Sequence, residues 1–385
     1  MGKIKQFMDE NIRRFGMVIA LVGIAILFQL LTDGILLTPL NVTNIIMQNS
    51  YIIILAIGMM LVIITGEIDL SVGSVAAFVG AIAGILLVTY EIPILLAVLL
   101  CLLLGAIVGA WQGFWVAYVN IPAFIVTLAG MLIFRGLTLV VLQGQTIAPF
   151  PDGFRSLSSG FMSDFLGGGS LNILAIVTGI ILSIFFIFNE LKVRRTNIKY
   201  NFKTATFPFF IAKILVIVAV INVFTYVLAQ YEGIPYVLII LFVLIIGYTF
   251  IMNKTITGRH IYAVGGNVNA ARLSGVKTKK MKFLVFVNMG VLAALAGLVF
   301  AGRLNAATPQ AGNLFELDAI AAAVIGGASM TGGIGTVFGA LIGALVMGIL
   351  NNGMSIMGIG IDWQQAIKGL VLLGAVAFDV LNKNK

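Results

Sequence analysis

The chain alternates long apolar runs with short polar connections, and that alternation limits its fold more than any other feature. Apolar runs fall at roughly 15–32, 42–64, 71–89, 93–118, 124–142, 171–190, 208–229, 236–252, 283–302, 334–353 and 363–381. Most are near the ~20 residues a helix needs to cross the hydrocarbon core of a bilayer. Inside lipid the backbone must satisfy its own polar groups, which a continuous helix does. A further apolar segment, 319–331, is too short to cross alone and predicts a broken helix. Only 10% of residues are charged, against about 25% in soluble domains. The expected fold is an all-α polytopic membrane protein, with about ten to eleven transmembrane helices plus a short broken helix, in a single transmembrane domain over 1–385.

The formal net charge of +9 invites a nucleic-acid reading, but its distribution excludes one. Of the 23 Lys and Arg residues, 18 fall in four places: the first 14 residues, 192–203, 253–282 and the last three residues. Basic segments between spans face the cytoplasm. The alternate connections carry Asp33, Glu91, Asp152, Asp164, Glu232 and Asp362, with Arg155 and Arg303. The parity places both termini in the cytoplasm, provided the short segment also changes side. Residues 143–170, rich in Gly, Ser and Pro, form an external connection with little secondary structure of its own; 192–207 form its solvated cytoplasmic counterpart. No small-residue cleavage site follows the first apolar run, which predicts a retained span. The lone Cys101 lies inside an apolar run and is expected to be packing.

The basic segment 253–282 carries Lys254, Arg259, Arg272, Lys277, Lys279, Lys280 and Lys282, and no acidic residue. Asn267 or Asn269 can cap a short helix over 270–274 (Ala270, Ala271, Arg272, Leu273, Ser274), which Gly275 can end from a left-handed conformation. A single turn held away from the bilayer, with Arg272 and Leu273 exposed, suits docking to a cytoplasmic partner. On composition alone the segment equally fits an ordinary topogenic loop.

Glu67-Ile68-Asp69 and Glu316-Leu317-Asp318 each precede a helix rich in small residues. By the charge parity the first lies toward the inside and the second toward the outside, as inverted repeats over about 42–142 and 283–381 require. Acids at membrane depth are costly and mark pathways or partners, although Asp69 and Asp318 also suit helix starts. Arg135 and Lys368 lie in apolar spans and are candidate partners for them. Gly335, Gly339 and Gly343, spaced by four, predict a close helix contact. Gln48, Asn49, Asn120, Asn305, Gln310, Asn351 and Asn352 are neutral groups able to hydrogen-bond a polar solute in a path, or a neighbouring helix.

Catalytic chemistry is missing. The one Gly-Lys pair, Gly2-Lys3, is followed by Ile4, so the chain has no nucleotide-binding loop. His260 stands in the basic segment away from any nucleophile, and no His/Cys cluster is spaced for a metal. The chain is expected not to hydrolyse ATP itself and to hold no cofactor of its own.

Four stretches carry a family resemblance: GEIDLSVGS (66–74), GRHIYAVGGNVNAARLSGV (258–276), ELDAIAAAVIGGASMTGGIGTVFGALIGALVMGILNNGM (316–354) and QQAIKGLVLLGAVAFD (364–379). From about Thr43 onward the chain resembles the permease subunits of bacterial ribose, xylose and galactose ABC importers. GQTIAPFP (144–151) and the added spans between 171 and 252 are most similar to the xylose or multiple-monosaccharide branch. The resemblance implies a homodimer in the cytoplasmic (inner) membrane. It also implies two cytoplasmic ATPase subunits that hydrolyse the ATP, and an extracytoplasmic sugar-binding protein. It makes 265–275, GGNVNAARLSG, the ATPase-docking loop. The resemblance singles out no sugar site; from their chemistry alone Gln48, Asn49, Glu67, Asp69, Asn120, Asn305, Glu316, Asp318, Asn351 and Asn352 are candidates for the translocation path or gate. The rival is an ion-coupled secondary transporter using the same four acids.

Overall fold

A computed structural model describes residues 2–169, 171–202, 204 and 206–383, with side chains over 16–377 of that range. The basic side chains of the first 14 residues, Lys203, Lys383 and Lys385 lie outside the described side chains. The helices run in chain order: α1 (Gly2–Leu31), α2 (Pro39–Ile64), α3 (Val72–Thr89), α4 (Ile94–Val119), α5 (Ala123–Leu142), α6 (Asp152–Ser159), α7 (Ile173–Lys199), α8 (Phe207–Ala229), α9 (Tyr236–Lys254), α10 (Ile256–Gly266), α11 (Val268–Leu273), α12 (Thr278–Leu304), α13 (Phe315–Ile325), α14 (Val337–Ile356) and α15 (Ile361–Lys383). Nine of these, among the described residues, are long and apolar enough to cross a membrane. α1 adds the apolar stretch Gly16–Leu31 and α15 a further 23-residue helix. The chain is thus an all-α polytopic membrane protein.

The chain divides into two compact units. The smaller comprises Leu37–Asn44 and Gly160–Tyr236 and is built on the α7–α8 hairpin. Within it Asn222 Nδ2 donates to Ser183 Oγ at 2.8 Å, Lys213 pairs with Glu190 at 2.8 Å, and the Arg194 guanidinium sits 4.4 Å from the Phe210 ring centroid. The basic residues expected in a cytoplasmic loop at 192–199 are helical, because α7 continues through them to Lys199.

The larger unit comprises Met1–Leu36, Ile45–Ser159 and Val237–Lys385. Its centre is α2, whose side chains from Ile52 to Ile64 are buried all round. A helix apolar on every side belongs in such a centre. Small residues set the surrounding contacts. Gly339 and Gly343 of α14 lie on α13, where a Cβ at Gly343 would come within 2.8 Å of the Gly326 nitrogen. Gly335, expected on the same face, instead faces Ile64 of α2, because α14 begins only at Val337. The external connection 143–170 is more ordered than its composition suggests. Phe154 of α6 is buried and stacks on Phe150 at 4.9 Å, while Ser158 lies over Gly302 of α12.

Two helices are interrupted. α2 ends at Ile64, the non-helical stretch 65–71 follows with Thr65, Asp69 and Ser71 buried, and α3 restarts at Val72. After α12, residues 305–314 turn back before α13 begins. α13 has 11 residues, roughly 16 Å at 1.5 Å per residue, about half the ~30 Å hydrocarbon core. This is the broken helix read in the sequence.

Candidate translocation path and coupling segment

The basic segment is not a plain loop. Thr255 Oγ1 accepts from the Gly258 nitrogen at 3.3 Å and opens α10. Asn267 is extended and both ends α10 and caps α11, its Oδ1 accepting from the Ala270 nitrogen at 2.9 Å. Of the two expected caps, Asn267 fills the role and Asn269 is an exposed residue inside α11. The helix starts two residues earlier than expected. Gly275 terminates the turn at φ +84, with its nitrogen donating to the Arg272 carbonyl at 3.0 Å.

One residue anchors this turn. Ala271 is buried against Val264 and Met281, with Val276 beside them. The opposite face is open. Leu273 is 86% exposed, and Asn269, Ala270, Arg272 and Ser274 are exposed with it. α10 reaches inward: the Tyr262 hydroxyl donates to the Gly335 carbonyl at 2.7 Å. Gly265 lies against the Ile64 carbonyl, which also accepts from the Gly333 nitrogen at 2.9 Å. Lys282, at the start of α12, forms an ion pair with Glu67. The segment therefore touches the end of α2 and the turn before α14 together.

The acidic motifs divide into different roles. Asp69 is 2% exposed; its Oδ1 accepts from the Ser71 nitrogen at 2.8 Å and from the Ser71 hydroxyl at 2.6 Å. Ser71 Oγ in turn accepts from Gln112 Nε2 of α4 at 2.7 Å. Asp69 thus holds Ser71, the residue before α3, but makes no bond to the free nitrogens of the first turn; the cap position itself, Ser71, has no side-chain cap bond. Asp318 sits in the first turn of α13 but does not cap it; the cap position, Leu314, has no side-chain bond. Its carboxylate is held instead by Lys368 of α15, at 2.9 and 3.2 Å. Arg135, the other candidate partner, donates to the Ala311 and Pro309 carbonyls at 2.6 and 3.5 Å and, among the described residues, forms no ion pair with an acid.

The remaining carboxylate, Glu316, is 7% exposed and its Oε2 has no hydrogen-bond partner. It lies 2.5 Å from where a Cβ on Gly73 would be. The two motif regions, expected toward opposite faces, therefore meet here: the first turn of α3 abuts the first turn of α13. The reversal of the chain at 305–314 brings the second motif back from the end of α12.

The neutral candidates are scattered. Asn49 is buried, donates to the Ile45 carbonyl of its own helix at 2.7 Å and touches Gly348 of α14; Gln48 beside it is half-buried. Asn352 is buried, and the half-buried Asn351 has an unpartnered Oδ1. Asn120 and Asn305 are left-handed helix ends at φ 64 and 56. Asn120 is exposed, and Asn305 Oδ1 accepts from the Phe150 nitrogen at 3.0 Å. Gln112, Lys282 and Tyr262 were missed by sequence reasoning. Their partners lie 41 to 215 positions away, and no local signal marks them.

The family model for "Branched-chain amino acid transport system / permease component" matches residues 41–376. The chain is 41% identical over 375 residues to the xylose transport system permease protein XylH of Haemophilus influenzae, covering 97% of this chain and 98% of that one. XylH of Escherichia coli strain K12 is 38% identical over 377 residues, 97% and 93% of the two chains. The ribose import permease protein RbsC of Haemophilus influenzae is 36% identical over 339 residues, 88% and 84%. No solved structure matches the chain. A match over nearly its whole length makes this chain a member of the branched-chain amino acid transport system permease family.

Proposed function

We propose that the chain is the membrane-spanning subunit of an ATP-driven, binding-protein-dependent importer of xylose or a related monosaccharide. It forms the translocation path, docks the cytoplasmic ATPase subunits that hydrolyse ATP, and pairs with a second permease chain. An extracytoplasmic sugar-binding protein delivers the sugar. The chain sits in the bacterial inner membrane with both termini in the cytoplasm. Its relatives XylH and RbsC, by their names, are permeases for xylose and ribose.

The observation that carries the reading is the exposed Leu273 on a capped turn that is anchored inward by Ala271. A capped turn packed through Ala271 on one side and open at Arg272, Leu273 and Ser274 on the other offers a partner a fixed surface, which supports a docking role. Movement of α11 would pass through Ala271 to Val264 and Met281, through Tyr262 to Gly335, and through Gly265 to the end of α2. The two repeats, 42–142 and 283–381, would rock in response. Of the four acids the ion-coupled alternative would use, Glu67, Asp69 and Asp318 are engaged by Lys282, Ser71 and Lys368 respectively, which leaves only Glu316 with an unpartnered oxygen.

Co-purification tests the reading. The detergent-solubilised chain should bring its ATPase subunits with it, and a sugar-loaded binding protein should stimulate their ATP hydrolysis. A chain that purifies without an ATPase, and that transports without one, overturns it.

A further inference from the structure

The first turn of α3 meets the turn leading into α13 backbone to backbone. Gly312, at φ +72, presses on the Gly73 carbonyl, and a Cβ at Gly312 would come within 2.8 Å of that carbonyl carbon. Arg135 holds the turn in place through the Ala311 carbonyl. Glu316 Oε2 lies at this closure without a hydrogen-bond partner, and the next residue of α3 after Gly73, Ser74, also has an unpartnered Oγ. Ser74 is fully buried and Glu316 is 7% exposed. Each costs free energy as it stands, because a buried polar group without a partner loses its hydration for nothing. Both sit where two helix N-termini end, a position favourable to a negative charge.

Aromatic rings stand beside the closure. Phe315 stacks with Tyr51 at 4.3 Å and with Phe300 at 5.0 Å. Next to Gly312, a cavity bordered by Phe300, Phe315 and Thr308 measures about 10 Å³, space for about one water. A monosaccharide does not fit this cavity. Aromatic side chains are common in the lining of small-molecule sites.

Resting on the importer reading above, we propose that the Gly73–Gly312 contact is the closed constriction of the path. When α3 and α13 part, the Glu316 carboxylate and the Ser74 hydroxyl accept hydrogen bonds from the hydroxyls of an uncharged sugar. The ligand class follows from the donors and acceptors: a polyhydroxylated, uncharged solute supplies the O–H groups that both atoms lack.

The test uses the assembled importer in proteoliposomes, with its ATPase and xylose-loaded binding protein, comparing wild type with Glu316→Gln, Glu316→Ala and Ser74→Ala. Sugar moved per ATP hydrolysed is read beside binding-protein-stimulated ATP hydrolysis and thermal stability in detergent. Glu316→Ala should lower sugar per ATP by about tenfold or more, the effect of losing one hydrogen bond to a charged group. Glu316→Gln, which keeps a carbonyl oxygen, should fall between the two, and Ser74→Ala should lower the ratio less. Stimulated ATP hydrolysis should stay within twofold of wild type. Stability should be unchanged or raised, because an unpartnered buried group has been removed. Normal sugar per ATP in Glu316→Ala overturns the proposal. So does a parallel fall of ATP hydrolysis and stability in all three variants, which is the signature of a structural role. If wild type itself shows no ATP-dependent uptake, the importer reading fails and the proposal with it.

Discussion

The Asp318–Lys368 pair offers the sharpest test of the fold's energetics. Nζ lies 2.9 and 3.2 Å from the two carboxylate oxygens, and the side chains are 8% and 19% exposed. Removing one partner leaves a buried charge uncompensated, which costs roughly 3–5 kcal/mol. Lys368 keeps some exposure, so the lower end applies, about 3 kcal/mol and hence more than a hundredfold in the folding equilibrium. Had Asp318 been a helix cap, Asn would have replaced it at little loss. The observed geometry predicts the reverse: Asp318→Asn alone and Lys368→Met alone both destabilise strongly, while the double variant recovers most of the loss. Cys101 supplies the assay. It is the single cysteine and is fully buried, so a thiol-reactive fluorogenic dye reports unfolding on heating in detergent. Wild-type-like melting of Asp318→Asn, or additive losses in the double variant, would refute the reasoning.

Further outcomes follow from the same contacts. Leu273→Glu or Arg272→Glu should abolish ATPase association and uptake while the dye assay stays at wild type. Asn267→Ala, which removes the α11 cap, should cost about 1 kcal/mol locally and lower uptake in whole cells measurably. Asp69→Asn keeps the oxygen that accepts from Ser71 and should retain substantial uptake with ATP supplied. Gly290→Ala should destabilise by roughly 1–3 kcal/mol, read by the same dye, because its Cβ would come within 2.8 Å of the Gly109 nitrogen of α4. In a Cys101→Ala background, Asp152→Cys on the exposed side of α6 should react with an impermeant thiol reagent outside intact cells. Ser274→Cys should react only after permeabilisation; the opposite pattern would overturn the topology.

The spans were legible because hydropathy over ~20 residues is a property of local sequence. The capped turn 268–275 was legible for the same reason: Asn267 and Gly275 carry their own capping chemistry. α10 escaped notice because Gly258, Gly265 and Gly266 weaken its local helix signal; contacts of Tyr262 and Gly265 hold it in place. α6 escaped likewise, since Phe154 is fixed by Phe150 and α12, not by its neighbours in sequence. The roles of the acids were half legible. Asp69 bonds two residues away, within reach of a capping argument. Glu67 and Asp318 find Lys282 and Lys368 far along the chain. The meeting of Gly73 with Gly312 depends on the turn at 305–314, which no periodicity announces.

Uptake of labelled xylose into vesicles tests the central claim most directly. The complex should be reconstituted with its ATPase and binding protein, ATP supplied on the ATPase side, and all ion gradients collapsed by ionophores. The account predicts uptake that persists without gradients, requires ATP and the binding protein, and disappears in Leu273→Glu. Uptake that follows an ion gradient and ignores ATP would contradict it.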